Sequence, residues 1–212
     1  MFDGLKYSDK NLGHHVDYIF PPLMQLIHMA MKEKNVSKKD FKILDIGCGN
    51  GSLTSLMAQQ GFNVVGVESS ATGVEIAAKN YPQCRFIHGS IYEFPFDQVG
   101  HDYDVVVSVE VIEHLFSPHQ LLQTAKRCLK PGGGLILSAP YHGYIKNLAM
   151  ALGNKFDWHF DALREGGHIK FFSPRTLTRL LQSQGYKDIQ FKFAGRLPLL
   201  WKSMICYGAT DR

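Results

Sequence analysis

Two hydrophobic periods alternate along the chain. From Pro21 to Lys34, Leu23, Leu26, Ile27, Ala30 and Met31 recur at helical spacing, with the two prolines expected in the first turn. Lys42 to Ile46 is a short apolar run closed by glycine, which predicts a strand. The same reading predicts strands over 63–68, 85–88, 103–109 and 134–139, and two final strands over 189–193 and 200–207. Between them, helices are expected over 52–60, 72–80, 118–129 and from Ser173-Pro174 through Ser183. Gly61 and Gly185 stop two of these, and Pro131-Gly132-Gly133 follows a third. Strands separated by helices of about ten residues require right-handed crossovers, so the expected fold is α/β: a doubly wound, largely parallel sheet with helices on both faces.

One tract breaks the alternation. More than thirty residues separate Ala139 from Ser173, with only a weak helical patch at Tyr144 to Leu152. They are rich in aromatics and histidine, including Tyr141, His142, Trp158, His159, Phe160 and His168. Following the C-terminal end of a strand, such an insertion lies where doubly wound sheets bind ligands and predicts a lid. The expected organisation is an N-terminal helical cap over 1–40 and one domain over 41–212, with 140–172 as the lid.

Composition narrows the class without naming a function. The chain has 212 residues, 45% hydrophobic and 20% charged, an ordinary globular balance. Its four cysteines, Cys48, Cys84, Cys128 and Cys206, form no Cys-x-x-Cys pair and are too sparse for a disulfide scaffold. With no secretory start and no apolar run of about 20 residues, a cytoplasmic protein with reduced thiols is expected. A net charge of +4 argues against a nucleic-acid partner. The charge is uneven, however. Residues 84–114 carry a net −5 and residues 164–212 a net +6.

Chemistry enters at ILDIGCGNG, Ile43 to Gly51. Gly47, Gly49 and Gly51 stand between a strand and a helix, where missing Cβ atoms permit a tight turn and close approach of a ligand. Asp45, just before the turn, is placed to receive a ligand's amine or to order the loop. Glu68 ends the next strand, where a carboxylate accepts hydrogen bonds from both hydroxyls of an adenosine ribose. The dinucleotide pattern would need glycine at position 52, and Ser52 stands there, so a phosphate-free adenosine ligand is favoured over a pyrophosphate.

With these residues in place, the chain from about Phe41 to Tyr207 resembles the class I S-adenosylmethionine-dependent methyltransferases. The resemblance implies a Rossmann-like seven-stranded sheet whose last strand is antiparallel. It implies that the glycine loop holds the methionine part of the cofactor, that Glu68 binds the ribose, and that Ser90 and Ile91 flank the adenine. Asp45, Cys48 and Ser69 fall in the same segments and join the expected cofactor set. Many members have aspartate where this chain has Ser90.

Ser108 to Pro118, SVEVIEHLFSP, is a second motif. Val109 and Glu110 match positions beside the cofactor's methionine. Glu110-x-x-Glu113-His114 resembles the ubiquinone-biosynthesis O-methyltransferases. It is also similar to a motif of small-RNA 2′-O-methyltransferases that binds magnesium with a further histidine, for which His168 is available. Three roles stay open: Glu113 hydrogen-bonded to His114 to lock the loop, His114 or His168 as a general base, or a divalent metal on Glu110, Glu113, His114 and His168. The metal is weighed below the loop lock. The segment before Phe41 does not resemble the ubiquinone enzymes. Tyr7 and Tyr18 are candidates for closing over the cofactor, with burial on the first helix favoured for Tyr18.

The expected function is methyl transfer to a small-molecule acceptor, most readily a hydroxyl oxygen. His114, His168 and Glu113 would do the proton chemistry, and Tyr141, Trp158 and Phe160 would shape the acceptor site. The rivals are an RNA or protein methyltransferase, a non-catalytic S-adenosylmethionine-binding protein, and an NAD-dependent dehydrogenase.

Overall fold

A computed structural model describes residues 16–34, 36–160 and 163–211. The expectation for Tyr7 lies outside these residues. In chain order the elements are α1 (Val16–Lys34), β1 (Lys42–Ile46), α2 (Ser52–Gln59), β2 (Asn63–Glu68), α3 (Ala71–Asn80) and β3 (Arg85–His88). Then follow α4 (Phe96–Val99), β4 (Tyr103–Ser108), a 3₁₀ turn (Ile112–His114), α5 (Pro118–Cys128) and β5 (Leu129–Pro140). The chain continues through α6 (Tyr144–Leu152), α7 (Phe156–Phe160), α8 (Pro174–Ser183), β6 (Lys187–Ala194) and β7 (Ser203–Ala209).

The seven strands form one sheet in the order β3-β2-β1-β4-β5-β7-β6. The pairs among β1 to β5 are parallel. β7 enters between β5 and β6 and runs antiparallel to both. The doubly wound expectation therefore holds, including the antiparallel last strand.

Strand periodicity splits the core into two layers. In β4, Val105 and Val107 join the apolar cluster under α1 and α2, while Val106 joins the cluster under α5 and α8. In β1, Ile43 faces the first layer and Leu44 and Ile46 the second. Asp45 follows the same alternation to the face covered by α2. At the opposite end of the strands, buried Asp104 accepts bonds from Lys130 Nζ at 2.9 and 3.0 Å and from the Lys42 amide at 2.9 Å. This pairing satisfies a charge that would otherwise be costly to bury.

β6 starts two residues before, and β7 three residues after, the expected 189–193 and 200–207, and α4 and α7 are additional short helices. Two further departures have a clear cause. Pro21 and Pro22 lie inside α1, not in its first turn. Val16, Ile19, Leu23, Leu26, Ile27 and Ala30 form one buried stripe across the prolines, and packing of that stripe carries the helix past them. β5 begins at Leu129, so Pro131-Gly132-Gly133 is an irregularity within the strand instead of a turn before it. Its register against β4 shifts between Tyr103 and Val105, and Gly132 takes a φ of 69°.

Candidate active site

The glycine loop leaves the C-terminal end of β1 with three left-handed residues: Gly47 (φ 79°), Gly49 (φ 57°) and Gly51 (φ 78°). Side chains rarely adopt this conformation, and space is missing as well. A Cβ on Gly51 would stand 2.7 Å from both Ala77 and Phe86, and one on Gly47 would collide with Val111. The amides of Gly47 and Cys48 donate to the Val67 carbonyl at 2.8 and 3.1 Å, tying the loop to β2.

Glu68, at the end of β2, completes the turn. Its Oε2 accepts the Gly49 amide at 2.9 Å, and its Oε1 accepts the Ser70 amide at 2.8 Å and the Ser69 hydroxyl at 3.1 Å. Oε2, with one bond accepted, has a further lone pair for a ligand hydroxyl. Asp45 is 1% exposed and accepts the Thr54 hydroxyl at 2.6 Å. Burial raises its pKa to about 7, opposed by the Thr54 bond and aided by the Glu68 charge. Ser90 and Ile91 follow β3; the Ser90 hydroxyl accepts the Tyr92 amide at 3.2 Å, and Ile91 is buried.

Val109 and Glu110 extend from β4. Glu110 holds a left-handed φ of 54°, unusual for a side chain of its size. Ser138 of β5 fixes it twice: the Ser138 hydroxyl accepts the Glu110 amide at 3.0 Å and donates to Glu110 Oε1 at 2.8 Å. Burial pushes Glu110 up to about 7, against hydrogen bonds from Ser138 and Ser203 and the charge of Lys146. Three acidic side chains thus converge on the C-terminal ends of β1, β2 and β4.

Glu113 and His114 stand in the 3₁₀ turn. Glu113 is fully buried, and neither carboxylate oxygen has a hydrogen-bond partner. Burial, then the Glu110 charge, raise its pKa well above the carboxylate range. The expected Glu113–His114 lock does not form, because His114 Nε2 lies 3.9 Å from Glu113 Oε1. His114 Nδ1 instead donates to the Gly166 and Gly167 carbonyls at 2.9 and 3.2 Å. The Glu113 carbonyl accepts the Ile169 and Lys170 amides at 2.9 and 3.0 Å. These bonds bring His168 to 3.9 Å from Glu113 Oε1 and its ring centroid to 4.9 Å from that of His114. Burial lowers the pKa of both imidazoles, His168 to about 4.

The aromatic residues of the insertion separate. Tyr141 is buried at the end of β5 against Phe193 and Trp201. Phe160 packs with His142, His159 and Phe171. Trp158 on α7 is 80% exposed. Tyr18 is half-buried on α1, and Lys202 lies over its ring. Sequence reasoning missed Ser138, whose signal was a lone serine in an apolar strand. It also missed Lys146, 5% exposed on α6, whose amine donates to the Tyr141 carbonyl at 2.7 Å. A surface hollow of about 370 Å³ is lined by Lys42, Asn63, Arg85 and Tyr103, the N-terminal starts of four strands. It lies at the opposite end of the sheet from the glycine loop and holds none of these acids.

A doubly wound sheet with a glycine cradle and convergent acids defines an adenosine-ligand-binding α/β protein. Residues 13–190 match the family model described as a methyltransferase domain. The chain belongs to that family and is an S-adenosylmethionine-dependent methyltransferase. It is 31% identical over 183 residues to the ubiquinone biosynthesis O-methyltransferase of Dinoroseobacter shibae, covering 84% of this chain and 72% of that one. Against the enzyme of the same name from Cereibacter sphaeroides (strain ATCC 17025), identity is 30% over 76% of this chain. The chain spans about two thirds of that relative's length. Among solved structures, magnesium protoporphyrin IX methyltransferase from Synechocystis PCC 6803 superposes with a TM-score of 0.66 at 17% identity, covering 97% and 91% of the two chains. Phosphoethanolamine N-methyltransferase 2 of Haemonchus contortus gives 0.60 at 13% identity, covering 89% and 53%. These two likenesses bear on the fold. Among the described residues, no helix is long and apolar enough to cross a membrane.

Proposed function

We propose that the chain transfers a methyl group from S-adenosylmethionine to a hydroxyl oxygen of a small molecule bound over the C-terminal ends of β4 and β5. The names of the two relatives from Dinoroseobacter shibae and Cereibacter sphaeroides support an oxygen acceptor. The observation that carries the reading is the left-handed glycine turn, held to Glu68 through the Gly49 amide and leaving no room for a Cβ at Gly47 or Gly51.

The residues suit this cofactor. Gly47, Cys48, Gly49 and Gly51 would line its methionine part, with Asp45, Val109 and Glu110 close by. Glu68 and Ser69 would meet the ribose, and Ser90 and Ile91 would border the adenine. S-adenosylmethionine supplies a methyl group already activated on a sulfonium. The protein aligns the acceptor, excludes water and takes up a proton. With Nδ1 bonded to carbonyls, neutral His114 keeps a lone pair on Nε2, so His114 or His168 can accept the hydroxyl proton beside Glu113. Residues 140–172 act as a lid, with Trp158 and Phe160 bordering the acceptor and Tyr141 at its base, packed on Phe193 and Trp201.

The acids give a direct test. A cation beside carboxyls held near pH 7 lowers their pKa, so cofactor binding at neutral pH releases protons. Calorimetry in two buffers of different ionisation enthalpy should show S-adenosylmethionine binding with net proton release, and no NAD binding. Tighter binding of NAD, or cofactor binding with no released proton, would refute the assignment.

A further inference from the structure

Resting on the methyltransferase reading, we infer that Lys146 and Arg196 form an oxyanion site beside the acceptor, so that the hydroxyl-bearing acceptor also carries a carboxylate or phosphate group. Lys146 stands in the first turn of α6 and is 5% exposed. Its amine donates to the Tyr141 carbonyl at 2.7 Å, which holds the ammonium over the C-terminal end of β5. That single bond leaves two of its three N–H groups for other partners. Among the described residues, neither Lys146 nor Arg196 forms an ion pair. A buried ammonium without a carboxylate is costly to keep.

A second cation makes the arrangement costlier still. Arg196 lies in the link between β6 and β7 with a left-handed φ of 68°, next to Gly195 at 71°. Side chains rarely hold that conformation. The Lys202 amide closes the turn, donating to the Ala194 and Gly195 carbonyls at 3.0 Å each. The Arg196 charge reaches Tyr18, Lys146 and His159, so the guanidinium stands among α1, α6 and α7. Burial, then the Arg196 charge, lower the Lys146 pKa to about 8, and the Glu110 charge offsets them only in part. Glu110 is itself raised to about 7 and bonded to Ser138, so at neutral pH it is an incomplete counter-charge.

Neutral polar groups adjoin the two cations. Burial first, with the Lys146 charge adding to it, lowers the pKa of His142 to about 4 and that of His159 below its ordinary value. His168 is also within reach of the Lys146 charge. His142 is 6% exposed; its Nε2 and Asn147 Oδ1 are buried, and although the two side chains are neighbours, neither atom completes a hydrogen bond. α6 starts at Gly143 with no capping side chain, which leaves first-turn amides without a helical partner. An oxyanion bonded to Lys146 and Arg196 would cancel their repulsion and supply the missing counter-charge. The rival occupant is the methionine carboxylate of the cofactor itself.

The probes are benzoate and phenyl phosphate, with benzamide as the neutral control of the same shape, added to the full chain carrying carbon-13 at lysine Cε. Without cofactor, millimolar benzoate or phenyl phosphate should raise the proton affinity of Lys146 about tenfold, read from its Cε resonance across pH, and benzamide should leave it unchanged. Whichever anion acts at the lower concentration names the acidic group. Arg196→Gln, on an exposed link, and Lys146→Met, of similar length without charge, should each weaken benzoate binding at least tenfold. Both should keep the native circular dichroism and bind S-adenosylmethionine within twofold of the parent. A Lys146 resonance that neither anion moves, an equal response to benzamide, or benzoate binding unchanged in Arg196→Gln would overturn the proposal. Loss of S-adenosylmethionine binding in either variant would also overturn it, because the site would then belong to the cofactor's carboxylate. If the parent binds the anions but no S-adenosylmethionine in calorimetry, the methyltransferase reading fails while the oxyanion site stands.

Discussion

Replacing Asp45 with asparagine should stabilise the cofactor-free protein above neutrality. Burial raises the Asp45 pKa from 3.8 to about 7, while an unfolded chain titrates near ~3.9. Between those values the folded chain keeps a proton that the unfolded chain has lost. Stability therefore falls as pH rises from about 4 to about 7, the reverse of a salt-bridged aspartate. At ~1.4 kcal/mol for each pH unit, full ionisation costs at most about 4 kcal/mol. Asparagine has the same shape, carries no charge, and offers Thr54 a carbonyl in place of the carboxylate. Urea unfolding of both forms at pH 4.5 and pH 8 should show Asp45→Asn more stable by about 2–4 kcal/mol at pH 8 and within about 1 kcal/mol at pH 4.5. A variant equal to or weaker than the parent at pH 8 would mean that Asp45 ionises without penalty, and the argument from burial would fail.

Two further substitutions probe the loop and the lid. Gly51→Ala combines a φ of 78° with a Cβ 2.7 Å from Ala77 and Phe86, so it should lose about 2–4 kcal/mol, read as a lower urea midpoint at unchanged slope. A loss below about 1 kcal/mol would show that the cradle is looser than its geometry. Trp158→Ala removes a side chain that is 80% exposed and should change stability by less than about 0.5 kcal/mol. If Trp158 borders the acceptor, KM for the acceptor rises and that for S-adenosylmethionine does not; an unchanged acceptor KM removes it from the site.

Much of the fold was legible because strand and helix periods differ sharply here. The bounds of β1, β2 and β3 follow directly from short β-branched or apolar runs closed by glycine or polar residues. The errors share a cause: tertiary packing overrode a local breaker. Pro21 and Pro22 stay helical because an apolar stripe packs across them, and Pro131 stays in β5 because the strand absorbs the irregularity there. At the site, the strand-end position of Glu68 was enough to bring it to the glycine loop, whereas His168 was joined to Glu113 only through the motif's resemblance. It could not tell which hydrogen bonds form. His114 turned to Gly166 and Gly167, carbonyls that no side-chain pattern marks. The acidic block of residues 84–114 is not one site. Asp104 belongs to it in sequence but pairs with Lys130 at the opposite end of β4 from Glu110.

The position of β7 has a consequence for how the molecule is made. Among the described residues β6 pairs only with β7, and β7 is the strand that joins it to β5. A chain growing from its N-terminus therefore releases β6 with no partner in the sheet, while β5 still presents an open edge. Both stay unsatisfied until β7, the later strand, slides between them. The half of the sheet carrying β1 to β4 can assemble during synthesis, but closure of the other half must wait for the final strand. Nascent chains paused between β6 and β7 are thus the ones most exposed to mispairing, and this window is where a folding helper would have the most to protect.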